Sequence, residues 1–185
     1  MKNTYFTGYF PFISIVLFSL SYAVFAQKKV LELFISFGVY DGLLSFFSAS
    51  GIRLTVLLLL AFGFFMVLAA MKLISDTSLH LALLLFSKDQ EGNVIRSTRF
   101  GAVIYLIGGV GSLFCSFSVL AVSLLFFITT MTAFIYFIYQ ASAYLSTSGL
   151  FGLVLFLVLI WSSLVVLLGY SILKLYNGLA SSIPI

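Results

Sequence analysis

From Phe100 to Leu173 the chain runs for 74 consecutive residues without an Asp, Glu, Lys, Arg or His. No water-soluble domain is built from such a tract, because every turn of every helix would set apolar side chains against water. The tract requires lipid as its solvent. The remaining composition agrees, with 63% hydrophobic and 8% charged residues, against about 25% charged in ordinary soluble domains. Two architectures satisfy the backbone inside a bilayer, the α-helix and the closed β-barrel. Barrel strands alternate polar and apolar residues over about ten positions. Here the runs are unbroken, as in Leu57-Leu58-Leu59-Leu60 and Leu153-Val154-Leu155-Phe156-Leu157. The expected fold is therefore all-α: a polytopic transmembrane helical bundle forming one domain over residues 1–185, with about five spans and short interfacial helices.

A span needs about 20 apolar residues to cross about 30 Å of hydrocarbon. The sequence offers such segments at approximately 8–27, 53–73, 98–115, 119–139 and 150–173. The long uncharged tract exceeds two spans and suits three, with breaks near Cys115 to Ser118 and from Gln140 to Gly149. The first segment has a rival reading. Lys2, the apolar run from Phe10 to Leu20, and Val24-Phe25-Ala26 before Gln27 resemble a secretory signal with a small-residue cleavage site. A single Lys and a segment long enough to span favour an uncleaved helix.

Between the spans, Asp41 is expected to N-cap a short helix over Leu43 to Ser50 that Gly51 closes. Asp76 is expected to cap a second short helix over Leu79 to Phe86. On this reading all five acids, Glu32, Asp41, Asp76, Asp89 and Glu91, lie outside the spans. Lys2, Lys72, Lys88, Arg96 and Arg99 then share one side of the membrane, and Lys28, Lys29, Arg53 and Lys174 the other. That five-to-four distribution, with the terminal amine added, sets the N-terminus inside.

The ionisable residues restrict the chemistry. Proton-coupled carriers and voltage sensors depend on charged groups within the membrane, and the expected spans contain none. One His (His80) and one Cys (Cys115) do not assemble the nitrogen and sulfur ligand set of a zinc site. No metal, no cofactor and no catalytic residue is expected, and the chain is not expected to be an enzyme. The net charge of +4 comes from bases flanking the spans, which attract anionic lipid; it does not indicate nucleic-acid binding.

Three groups of residues stand out. In the third span Gly108 and Ser112, and Gly111 with Cys115, recur four apart, a pattern that lets helix backbones approach closely. Packing inside the bundle is the simpler reading and a homodimer seam the other. In the fourth span Thr129, Thr132, Tyr136 and Gln140 recur at helical spacing. They serve either as polar glue between helices or as the wall of a small cavity, which would have to admit a neutral solute. In the polar turn and beyond it, Asp89, Glu91, Arg96 and Arg99 are the candidates for facing a partner.

Phe37-Gly38-Val39-Tyr40-Asp41-Gly42, Gly51-Ile52-Arg53-Leu54, Phe86-Ser87-Lys88-Asp89 with Glu91-Gly92-Asn93, and Lys174-Leu175-Tyr176-Asn177 resemble the YufK-like group of small Bacillus-type membrane proteins. The resemblance extends over essentially the whole chain. Gln90 stands where a proline is associated with the group, which bears only on the rigidity of that turn. The resemblance implies a protein of a bacterial cytoplasmic membrane and supplies no activity. By exclusion, the expectation is a non-catalytic accessory, assembly or regulatory component. Its partners are the lipid bilayer and either another membrane protein or a second copy. The alternative is a transporter or channel for a small neutral solute.

Overall fold

A computed structural model describes residues 6–89 and 92–182. Among the described residues the regular structure is all helical, joined by short turns. After a 3-10 turn at Phe6–Tyr9 come α1 (Phe10–Ser36), α2 (Val39–Leu44), α3 (Ala49–Phe86), α4 (Asn93–Thr98), α5 (Gly101–Phe114), α6 (Val119–Ala141) and α7 (Thr147–Ser182). Among the described residues five segments are long and apolar enough to cross a membrane: α1, α3, α4 and α5 taken together, α6, and α7 as far as Gly178.

Local chemistry sets the ends of these helices. Pro11 opens α1 in its first turn, where a missing N–H costs no hydrogen bond and the fixed φ suits the helix. At the other end Gly38, at φ 69°, takes the left-handed conformation that closes a helix. The Phe37 and Gly38 amides return to the Leu33 and Ile35 carbonyls. Ser48 caps α3, its hydroxyl accepting from the Gly51 amide at 3.1 Å. Gly51 therefore lies in the first turn of α3 and closes no preceding helix. The short helix before it spans Val39–Leu44 with Asp41 in its first turn and no side-chain cap. The expected Asp41-capped helix over residues 43–50 is corrected accordingly: Ser48 supplies the stronger cap, at the start of the longer helix.

A second correction concerns α3. It is one continuous helix of 38 residues, about 57 Å long, and Asp76 starts nothing. Between Gly63 and Gly92 the sequence has no glycine or proline to interrupt it. Asp76 sits one turn after Lys72 and forms an ion pair with it, which supports a helix interior rather than a boundary. Asp76, and Glu32 near the end of α1, consequently lie within helices long enough to span, contrary to the expectation that all five stand outside.

α1 is the hub, packed against α3, α5 and α6. Its protein-facing side is rich in serine, with Ser14, Ser19 and Ser21 all buried beside Phe18. Each of these hydroxyls donates to a carbonyl one turn earlier, Phe10, Ile15 or Leu17, so no polar group is stranded in an apolar setting. Two apolar clusters hold the bundle. Phe18, Leu68 and Val122 join α1, α3 and α6. Ala82, Leu83, Val94, Phe137, Ala141, Leu153 and Leu157 form the other where the end of α3, α4, the end of α6 and the start of α7 meet. The outward faces remain apolar, with Leu59, Ile107, Leu120 and Ile135 each about two-thirds exposed. Such faces suit lipid, which is as apolar as leucine.

Candidate functional site

The polar residues inside the bundle concentrate where α5 passes between α1 and α6. Ser112 is fully buried and its hydroxyl bonds both the Gly109 carbonyl, at 2.7 Å, and the Ser21 hydroxyl of α1, at 2.8 Å. Ser14 and Leu17 of α1 pack so closely on Gly109 that a Cβ there would lie 3.2 Å from the Ser14 Cα. On the α6 side, a Cβ on Gly108 would lie 2.2 Å from Thr129 Oγ1, and one on Gly111 would lie 3.4 Å from a Leu125 methyl. Gly108 and Gly111 thus meet α6 while Gly109 and Ser112 meet α1. The small residues of α5 are used twice, against two helices of the same chain.

The α6 stripe meets the same seam at Thr129 and Tyr136. Thr129 is buried and donates to the Leu125 carbonyl at 2.8 Å. Thr132 is exposed and donates to the Ile128 carbonyl at 2.8 Å. Tyr136 lies against Phe100, ring centroids 6.4 Å apart, and against Gly101. Gln140 Nε2 donates to the Tyr136 hydroxyl at 3.2 Å. Two open grooves mark the bundle surface, and neither is lined by any of these four. One, of about 420 Å³, is bounded by Val16, Ser19, Leu20, Leu58, Ala61, Phe62 and Phe65. The other, of about 390 Å³, is bounded by Phe134, Ile135, Ile138, Tyr139 and Val154. Both are essentially apolar, and neither has the polar wall that a neutral solute would require.

The partner-facing candidates divide. Glu91 lies outside the described residues. Asp89 is turned inward: its carboxylate accepts from the Val94 amide at 2.8 Å and its own amide donates to Ser87 Oγ at 3.0 Å. Together these fasten the α3–α4 turn to the start of α4. Arg96 and Arg99 are exposed.

Several contacts have no counterpart in the sequence reading. Lys72, Asp76 and His80 follow one another at intervals of four on α3, with His80 Nδ1 donating to the Asp76 carbonyl at 2.7 Å. Tyr22 of α1 donates to Ser123 Oγ of α6 at 3.1 Å, and Gln27 Nε2 to the Arg53 carbonyl at 2.6 Å. The usable signal was the residue type: a tyrosine mid-span needs a partner for its hydroxyl. Among the described residues no three His, Cys, Asp or Glu side chains gather as a metal site would require.

The fold and its seams define a polytopic helical membrane protein. A family model described as a family of unknown function (DUF5366) matches residues 27–184, and the chain belongs to that family. It is 40% identical to the uncharacterized membrane protein YufK of Bacillus subtilis (strain 168), over 185 residues and 100% of both chains. The resemblance read from the interhelical segments is thereby confirmed. No solved structure matches the chain.

Proposed function

We propose that this protein is a non-catalytic accessory or assembly component of a bacterial cytoplasmic membrane, with its N-terminus inside, that docks on another membrane protein through α7. The observation that carries the reading is the divided state of α7. Its first part is anchored, with Leu153 and Leu157 buried against α3 and α6. Its second part is open along its described side chains: Val165, Val166, Leu167 and Leu168 are each more than 60% exposed, as are Ile172, Leu173, Leu175 and Tyr176. Four consecutive residues cover every face of a helical turn, so from Val165 to Leu168 the helix is exposed on every side. Gly169 within it meets nothing within 4 Å, leaving its backbone open to close approach by another helix. The bacterial relative supports the choice of membrane. The apolar grooves and the self-satisfied threonines of α6 favour this reading over passage of a neutral solute.

The test is purification from the native membrane in mild detergent, followed by native mass spectrometry of the wild type and of Gly169→Phe. A stoichiometric foreign membrane subunit is expected with the wild type and should be missing from the variant, which keeps its helicity and melting temperature. A wild-type chain recovered alone, or as a monomer holding a small polar molecule, would overturn the reading and favour transport.

A further inference from the structure

We propose that Lys88, Arg96 and Arg99 form a seat for the phosphate of an anionic phospholipid headgroup at the start of the span made by α4 and α5. Arg96 and Arg99 are three apart, so the helical path of α4 sets them on one side. Both are exposed, as is Lys88. Lys88 belongs to the same end of the bundle because the Asp89–Val94 bond draws the α3–α4 turn onto α4.

Among the described residues no carboxylate pairs with these cations. Glu32 pairs with Lys29 and Asp76 with Lys72. Asp89 accepts from the Val94 amide, and Asp41 is on α2, across the membrane-spanning length of α3 from this turn. None of Lys88, Arg96 and Arg99 forms an ion pair with a described residue. The hydroxyls beside them, Ser97 and Thr98, are bonded to the Val94 and Ile95 carbonyls and are turned to their own helix rather than to the guanidinium groups. Apolar surface adjoins the cations, with Ile95 37% and Phe100 62% exposed and the Phe100 ring backed by Tyr136. Positive charge beside an exposed aromatic ring at the end of a span is the chemistry of the headgroup layer, where a phosphate lies above acyl chains. Arginine suits that role, since its planar fork bonds two phosphate oxygens together.

This assignment does not depend on the docking role of α7. It gives Arg96 and Arg99 to lipid where the sequence reading offered them to a protein. The measurement is native mass spectrometry of the full chain titrated with phosphatidylglycerol or phosphatidylcholine in the same detergent. Each cation near an anionic headgroup strengthens binding about 5-fold, so Arg96→Gln/Arg99→Gln should weaken phosphatidylglycerol retention about 25-fold and leave phosphatidylcholine unchanged. Arg96→Lys/Arg99→Lys should keep most of the retention, which separates lost charge from lost folding. Lys28→Gln/Arg53→Gln, with the same change in net charge at the opposite end of α3, should reduce retention far less. Unchanged phosphatidylglycerol binding in Arg96→Gln/Arg99→Gln would overturn the proposal. So would equal loss of both lipids, an equal effect of the opposite-end pair, or release of a bound protein with lipid retention intact.

Discussion

A methyl group added to Gly108 gives the sharpest test of how this bundle is held. The new Cβ would lie 2.2 Å from Thr129 Oγ1, 2.6 Å from its Cγ2 and 2.9 Å from its Cβ. Thr129 has no easy retreat. Its χ1 is stiff because the side chain branches at Cβ, and its hydroxyl is bonded to the Leu125 carbonyl. Its Cβ follows the backbone of α6, so α5 and α6 must move apart by several tenths of an ångström. Overpacking of this kind costs about 1–3 kcal/mol. Alanine recovers up to about 1 kcal/mol over glycine in helix propensity. Gly108→Ala should therefore be destabilised by about 1–2 kcal/mol. Thr129→Ala removes the two nearest atoms and leaves only the contact between the two Cβ atoms. The double variant should thus be more stable than Gly108→Ala alone, with a coupling of about 1–2 kcal/mol. The assay is reversible unfolding in mixed micelles, followed by circular dichroism. Gly63→Ala is the control, since nothing lies within 4 Å of that position, and it should be neutral or slightly stabilising. A neutral Gly108→Ala, or strictly additive effects in the cycle, would refute the close α5–α6 seam. The second reading of the α6 stripe, as a cavity wall, would then regain ground.

The attachment of α7 offers a contrast of two nearby glycines. A Cβ at Gly149 would lie 2.7 Å from the Phe86 carbonyl oxygen, which is backbone, whereas one at Gly152 would lie 2.6 Å from the Phe86 ring, which can rotate. Gly149→Ala should accordingly lower the micellar melting temperature more than Gly152→Ala, and the reverse order would contradict the packing of α7 on α3. Orientation is open to direct labelling in a Cys115→Ser background. Ser45→Cys, between α2 and α3, should react with an impermeant maleimide on intact cells, whereas Ser142→Cys, after α6, should react only in broken cells; the opposite pattern would invert the proposed topology.

The helical class was legible in the sequence because the solvent leaves few choices: unbroken apolar runs permit helices and little else. The turn after α5 and the polar stretch before α7 were legible for the same reason, as small and polar residues interrupt the runs there. The course of α3 departs from the sequence expectation because Asp76 lies in a helix interior and marks no boundary. Its spacing from Lys72, and the absence of glycine and proline over the following turns, carried the better signal. The contact pattern was less accessible. In water, burial follows hydrophobicity, but in lipid the outward faces are as apolar as the inward ones. Leu153 is buried and Leu155 half-exposed on the same helix, and nothing in the composition of that run separates them. The Ser21–Ser112 bond joins residues on different helices, and neither residue's local sequence names its partner.

Glycine is the residue whose position does carry contact information here, because in a helix interior it costs about 1 kcal/mol relative to alanine and so suits places where a neighbour comes close. Gly101, Gly108, Gly109, Gly111, Gly149 and Gly152 each have an atom of another segment or helix close enough to meet a Cβ. Within the long helices, Gly63, Gly169 and Gly178 have none. Gly169 differs from Gly63 in one respect: α3 around Gly63 is packed on α1 along its length, as in the Tyr22–Phe64 and Phe12–Phe65 ring pairs, whereas α7 around Gly169 is bare on every side. A lipid-facing glycine on an otherwise anchored helix asks for nothing more. A glycine on a helix that has left its own bundle is what an approaching helix would use, and this is why Gly169, rather than Gly63, is the position where a bulky side chain should separate assembly from folding.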